Sequence, residues 1–176
     1  MTREHVPTAE LADAAGVAIA MHHRIRPVWP GARVAGAAFT VRTPPGEHRA
    51  VREAADQAPP GSVIVVDAGG AVDRALWGDK MCSLALGRGL AGIVVDGAVR
   101  DVEGIEALGF PVFAAGITPT PPAGRERPGE LGIAVMCGDL TVRPGDVVYG
   151  DRDGVVVVPA ELHDEILDSA LEAVRS

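Results

Sequence analysis

The sequence predicts an α/β fold in which a single domain, spanning residues 1–176, combines parallel and antiparallel sheet portions. Three observations carry this. The runs Ser62 to Asp67 and Gly92 to Gly97 are apolar without alternation, which suits strands covered on both faces, and a helical stretch from Asp79 to Arg88 lies between them as a parallel crossover would. The last third instead holds short strands split by Cys137-Gly138-Asp139, Pro144-Gly145 and Asp151-Arg152-Asp153-Gly154, at antiparallel-meander spacing. Aromatics are only 3% of residues, so the core must rest on Val, Ile, Leu and Ala, with 22 Gly and 14 Pro marking frequent turns.

In chain order, Thr8 to Ala20 reads as a first helix capped by Thr8, with Leu11, Ala14, Ala15 and Ala18 forming its apolar stripe and the stretch Pro27 to Pro30 breaking it. Arg33 to Val41 is a strand closed by Thr43-Pro44-Pro45-Gly46, and Glu47 to Gln57 is a polar helix. After the βαβ unit, Pro111 to Ala115 is another strand. The loop Thr118 to Gly129 is long and rich in Pro and Gly, as a rim or subunit contact would be. The segments 132–136, 140–142, 146–149 and 155–158 are the short strands. Ala160 to Val174 is a closing helix, with Leu162, Ile166, Leu167 and Leu171 covering the sheet.

The net charge of −8 argues against a general nucleic-acid binder, which needs a basic footprint, but leaves room for a small anionic substrate beside a local cation. Cys82 and Cys137 lack CxxC spacing, so zinc-finger and disulfide-framework readings fail and a reducing cytoplasm is the expected setting. The start at Met1 is polar, and no apolar run approaches a membrane span of roughly 18–20 residues. We identify no G-x-G-x-x-G nucleotide fingerprint, which argues against a methyltransferase.

The candidate chemistry lies between Trp77 and Asp101. Gly78-Asp79 stands at a predicted helix start, where unpartnered backbone amides can cradle a carboxylate. Arg100-Asp101 follows a buried strand, where α/β folds place ligands, and a carboxylate beside an Arg suits a hard divalent cation. Each piece also has an ordinary structural reading: Gly-Asp as an N-cap, Arg-Asp as a surface pair or the next helix's cap, Asp96-Gly97 as a turn. His22-His23 reads as a solvated pair, Cys82 as a buried packing residue, Trp29 and Trp77 as anchors, and His48 as a surface residue.

Twenty residues separate Asp79 from Arg100. That D-x20-R-D spacing, within Gly-x-Val-Val-Asp-Gly-Ala-Val-Arg-Asp, resembles the 4-hydroxy-4-methyl-2-oxoglutarate/4-carboxy-4-hydroxy-2-oxoadipate aldolases of the RraA-like superfamily. The resemblance extends through Arg26 to Thr43, including Pro30-Gly31 and Phe39-Thr40-Val41. It continues in Gly116-Ile117-Thr118-Pro119, Val142-Arg143-Pro144-Gly145-Asp146 and Asp151 to Pro159.

The resemblance implies a swivelling β/β/α domain, assembled as a trimer or a dimer of trimers with sites at subunit boundaries. It implies that Asp101 binds Mg²⁺ or Mn²⁺ and that Asp79 acts through water in the outer shell. Gly78, Asp79, Lys80 and Met81 would receive the substrate carboxylate on their amides, and Arg100 would stabilise a pyruvate enolate. The expected activity is cleavage of 4-hydroxy-2-oxo acids to pyruvate, with oxaloacetate decarboxylation beside it. The alternative within the same superfamily is a non-catalytic regulator that binds a ribonuclease or another protein. Asp101 separates the two, because a pure regulator has no use for a metal carboxylate there. The chain departs from the common Gly-Asp-Asn with Gly46-Glu47-His48, where His48 would reach the distal end of a substrate. It also reaches Ser176 without the C-terminal acidic extension of longer aldolases.

Overall fold

A computed structural model describes residues 6–176; the polar start at Met1 lies outside them. The elements are α1 (Thr8–Ala15), β1 (Arg26–Pro27), β2 (Val34–Arg42), α2 (Arg49–Gln57), β3 (Val63–Asp67), α3 (Asp79–Gly87), β4 (Gly92–Val99), α4 (Val102–Leu108) and β5 (Val112–Ile117). They continue with β6 (Glu130–Leu131), β7 (Val135–Cys137), β8 (Leu140–Val142), β9 (Val147–Asp151), β10 (Gly154–Val158), a 3-10 turn (Ala160–Leu162) and α5 (His163–Arg175). Among the described residues no helix is long and apolar enough to cross a membrane.

The main sheet runs β1-β5-β4-β3-β2-β9-β10, with β6 also on β2. Strands β2, β3, β4 and β5 are parallel, as the unalternating apolar runs require. β2 joins the two sheet types: residues 38–42 pair parallel with β3, and residues 34–37 pair antiparallel with β9. One face, with Ile64, Val66, Ile93 and Val95, packs under α2, α3 and α4. The other, with Val63, Val65 and Val94, packs under the β7–β8 hairpin. A third cluster sets Leu11 of α1 and Ile166, Leu167 and Ala170 of α5 on the β9–β10 pair.

Several expectations need correcting. α1 stops at Ala15 because Gly16 takes the left-handed conformation (φ 62°), so Ala18 is exposed beyond it. Thr8 does not cap that helix; its hydroxyl donates to Asp151 Oδ1 at 2.8 Å. The late strands are not one meander, since β7–β8 forms its own two-stranded sheet. The closing helix begins as a 3-10 turn, and the short α4 had not been assigned a helical span.

Asp96-Gly97 is not a turn. β4 runs on to Val99, with a register shift against β5 between Val95 and Ala98. Asp96 is 3% exposed. It accepts Arg24 Nε at 3.0 Å and Nη2 at 2.8 Å, and the Gly138 amide at 2.9 Å. It thereby ties the 21–26 segment and the β7–β8 hairpin to the middle of the sheet. Asp96→Ala should cost about 2–4 kcal/mol of stability in urea denaturation, because it strands the Gly138 amide and leaves Arg24 with Asp139 alone.

Candidate functional site

The end of β4 organises the site. Leu76 N–H donates to Ala98 C=O (2.9 Å) and Arg100 N–H to Trp77 C=O (3.0 Å), so the segment before α3 runs beside the strand end. On the other side Thr118 N–H donates to Val99 C=O (3.0 Å). Trp77 is buried against Phe110, and its Nε1 donates to Cys82 Sγ at 3.1 Å, which anchors the start of α3. Burial pushes the Cys82 thiol up to about 12, so this is a packing residue, as expected. Trp29 likewise anchors, donating to Phe110 C=O at 2.9 Å.

Gly78 is the N-cap of α3, and Asp79 opens the helix. The first intrahelical bond is Cys82 N–H to Gly78 C=O (3.1 Å), which leaves the amides of Asp79, Lys80 and Met81 without helical partners. Asp101 caps α4 in the left-handed conformation (φ 62°), unusual for a residue other than glycine.

Two glycines make room for the two carboxylates. A Cβ on Gly78 would collide with Asp101 Oδ2, and a Cβ on Gly104 would meet Asp79 Oδ2 at 2.7 Å. Arg100 Nε lies 3.8 Å from Asp101 Oδ2, with both side chains partly exposed. Among the described residues neither Asp79 nor Asp101 has a side-chain hydrogen bond, so both carboxylates keep their lone pairs for solvent or ligand.

Gly78, Asp79, Lys80, Met81, Arg100 and Asp101 all line one cleft of about 650 Å³. Asp79, Arg100 and Asp101 also line an adjoining cleft of about 520 Å³ that includes Glu103 and Thr118. The predicted site residues are therefore together. The described residues contain no cluster of three His, Cys, Asp or Glu side chains fit to hold a metal. A single open carboxylate does fit a hard ion such as Mg²⁺, which retains several waters, and excludes a caged Zn²⁺ arrangement.

His48 is not a free surface residue. It is half-buried and lines the larger cleft together with Arg52. Arg52 was not singled out in the sequence; the signal was its i+4 spacing from His48. Burial first, and then the charge of Arg52, holds the His48 imidazole below its ordinary 6.5, so it is neutral at pH 7. The fingerprint G-x-G-x-x-G does occur as letters in Gly87-Arg88-Gly89-Leu90-Ala91-Gly92, but between α3 and β4, the reverse of the strand-then-helix order that a dinucleotide turn needs. The rings of His22 and His23 lie 4.0 Å apart, tilted by 32°, away from the cleft.

Gly78→Ala should displace Asp101 and lower activity by about tenfold or more, with a smaller loss of thermal stability; steady-state assays beside thermal melts check this. The His48 contribution to stability is complete above its unfolded value of 6.5 and is lost as pH falls below it. His48→Gln should therefore flatten the decline in stability between pH 7 and pH 5, read by urea denaturation at each pH.

The model of the RraA-like family, described as Aldolase/RraA, matches residues 8–157. A Halalkalibacterium halodurans protein with the provisional name 4-hydroxy-4-methyl-2-oxoglutarate aldolase is 38% identical over 165 residues, covering 94% of this chain and 78% of its own. Streptomyces coelicolor RraAS2, described as an unusual member of the RNase ES inhibitor RraA family, superposes with a TM-score of 0.86 at 31% identity, covering 98% of this chain and 89% of its own. The RNA-processing inhibitor RraA from Thermus thermophilis superposes with a TM-score of 0.79 at 30% identity, covering 88% and 93%. With a family model over most of its length and such relatives on both sides, the chain belongs to the RraA-like family.

Proposed function

We propose that the protein is a divalent-metal-dependent aldolase that cleaves 4-hydroxy-2-oxo acids to pyruvate and a second oxo acid, and that it also decarboxylates oxaloacetate. The reading rests on one observation: two carboxylates without hydrogen bonds, Asp79 and Asp101, share a cleft with Arg100 and the free amides of residues 79–81. Its scope is residues 1–176 as one RraA-like unit, assembled as a homotrimer or hexamer in the cytoplasm, where buried, unpaired Cys82 and Cys137 stay reduced.

Asp101 would hold the Mg²⁺ or Mn²⁺ ion, which when bound supplies positive charge to the keto-acid end of the substrate. The amides of Asp79, Lys80 and Met81 receive the substrate carboxylate at the positive end of α3. Asp79 takes the proton of the 4-hydroxyl, through water. The C3–C4 bond then breaks, C4 becomes a carbonyl, and the electron pair passes to the enolate of pyruvate. Arg100 stabilises the enolate oxygen by a charge-assisted hydrogen bond. Protonation at C3 completes the reaction. Decarboxylation of oxaloacetate reaches the same enolate with CO₂ as the leaving group.

The second reading is a regulator that binds a protein, favoured by the likeness to the RNA-processing inhibitor RraA. It leaves the opposed carboxylates and free amides without a use.

Pyruvate release from a panel of 4-hydroxy-2-oxo acids and oxaloacetate, measured with Mg²⁺ or Mn²⁺, decides between them. Turnover should stop with chelator and with Asp101→Ala, and Arg100→Ala should lower kcat by about 10²–10³-fold. Absence of turnover on the whole panel, with a ribonuclease or other protein bound instead, would overturn the aldolase reading.

A further inference from the structure

The cleft is larger than the keto-acid end of a substrate requires, and its remaining wall carries its own charge. α2 contributes Arg52 and, at its N-cap, His48; Arg52 N–H donates to His48 C=O at 3.0 Å, so the two side chains share one face of the helix. The loop 118–129 closes this wall with Pro122 and Gly124.

Arg49, Arg52 and Arg74 reach the loop and Arg125 lies within it; of these four, three are committed. Arg74 Nη1 donates to Pro121 C=O at 3.1 Å. Arg125 lies over the buried Glu47 carboxylate at 3.5 Å. Arg49 pairs with Glu53 at 2.9 Å and also donates to Glu126 C=O at 3.2 Å. Arg52 alone faces the cleft, and its side chain is bound to one group, Glu126 Oε2, at 2.6 Å.

That ion pair is exchangeable. Both side chains are about half exposed, and exposed pairs hold weakly. Glu126 is also one of three non-glycine residues with a left-handed backbone (φ 54°) among the described residues, so the partner is held in an unfavourable conformation. His48 beside it is neutral, able to donate or accept a hydrogen bond without adding repulsion or charge.

We propose that Arg52, assisted by His48, is the specificity-determining group of the cleft: it receives a second carboxylate at the end of the substrate remote from the keto group, giving up Glu126 to do so. The inference rests on the aldolase reading and deepens it. It assigns to Arg52 the preference for a distal carboxylate over a terminal methyl group, which the oxoglutarate named for the relatives already carries. Glu126 is then a built-in competitor that sets how tightly such ligands bind, and its release would loosen the loop wall.

The test is calorimetric titration of the full chain, with Mg²⁺ present, using 2-oxoglutarate and 2-oxopentanoate. The two probes have equal chain length, differ in the distal group, and lack the hydroxyl needed for cleavage. Wild type should bind 2-oxoglutarate about tenfold or more tightly than 2-oxopentanoate. Arg52→Gln should bring the ratio to about two or less, with 2-oxopentanoate little changed, which also reports a folded site. Arg52→Lys should keep part of the preference. Glu126→Gln should tighten 2-oxoglutarate several-fold and leave 2-oxopentanoate as it was. A preference that survives Arg52→Gln, equal binding of both acids by wild type, or weaker 2-oxoglutarate binding by Glu126→Gln overturns this inference while leaving the aldolase reading in place. Failure of wild type to bind either acid overturns that reading as well.

Discussion

Where β4 ends, the backbone before α3 lies against the Asp101 carboxylate at a separation that leaves no room for a Cβ. The Gly78 backbone occupies the space beside Asp101 Oδ2, and the contact exists only because residue 78 lacks a Cβ. Around this contact lie the start of α3 with its first amides, the left-handed cap at Asp101, and Arg100. Gly104 repeats the device one turn into α4, where it makes room for Asp79. Bare backbone at two glycines thus makes room for the two carboxylates that line the cleft.

Four aspartates, Asp67 closing β3, Asp96 within β4, Asp79 opening α3 and Asp101 just beyond β4, divide into two kinds. Asp67 and Asp96 sit in register on β3 and β4. Side by side they would repel, but each is engaged: Asp96 by Arg24 and the Gly138 amide, Asp67 by Arg42 and the amides of Gly69 and Met136. Their charge is spent on holding the β7–β8 hairpin to the sheet. Among the described residues the Asp79 and Asp101 carboxylates accept no hydrogen bond, Asp101 having only Arg100 at 3.8 Å, and both line open clefts. The same residue type is thus tied down where the β7–β8 hairpin covers it and left facing a cleft where it does not.

The parallel core was legible in the sequence because its signal is local. Val63–Asp67 and Gly92–Val99 are apolar at every position, and only strands covered on both faces tolerate that. The helix between them began where Gly78-Asp79 said it should. Less legible were pieces whose existence depends on partners far along the chain. β1 and β6 are two residues each, formed by pairing with β5 and β2. Asp96-Gly97 has turn composition but is carried through as strand by its neighbours and by Arg24, 72 residues away. His48 resembled a surface residue because nothing near it in sequence reveals that α2 faces the Gly78–Asp79 loop.

By itself the sequence determined the α/β class, the βαβ unit and the helix start at Gly78-Asp79, because periodicity and turn chemistry are properties of contiguous chain. Only the tertiary structure decided which carboxylates accept no hydrogen bond, which glycines are required by close approach, and that Arg52 and His48 border the same cleft. Those facts depend on distances between segments that the chain brings together only when packing excludes every other arrangement.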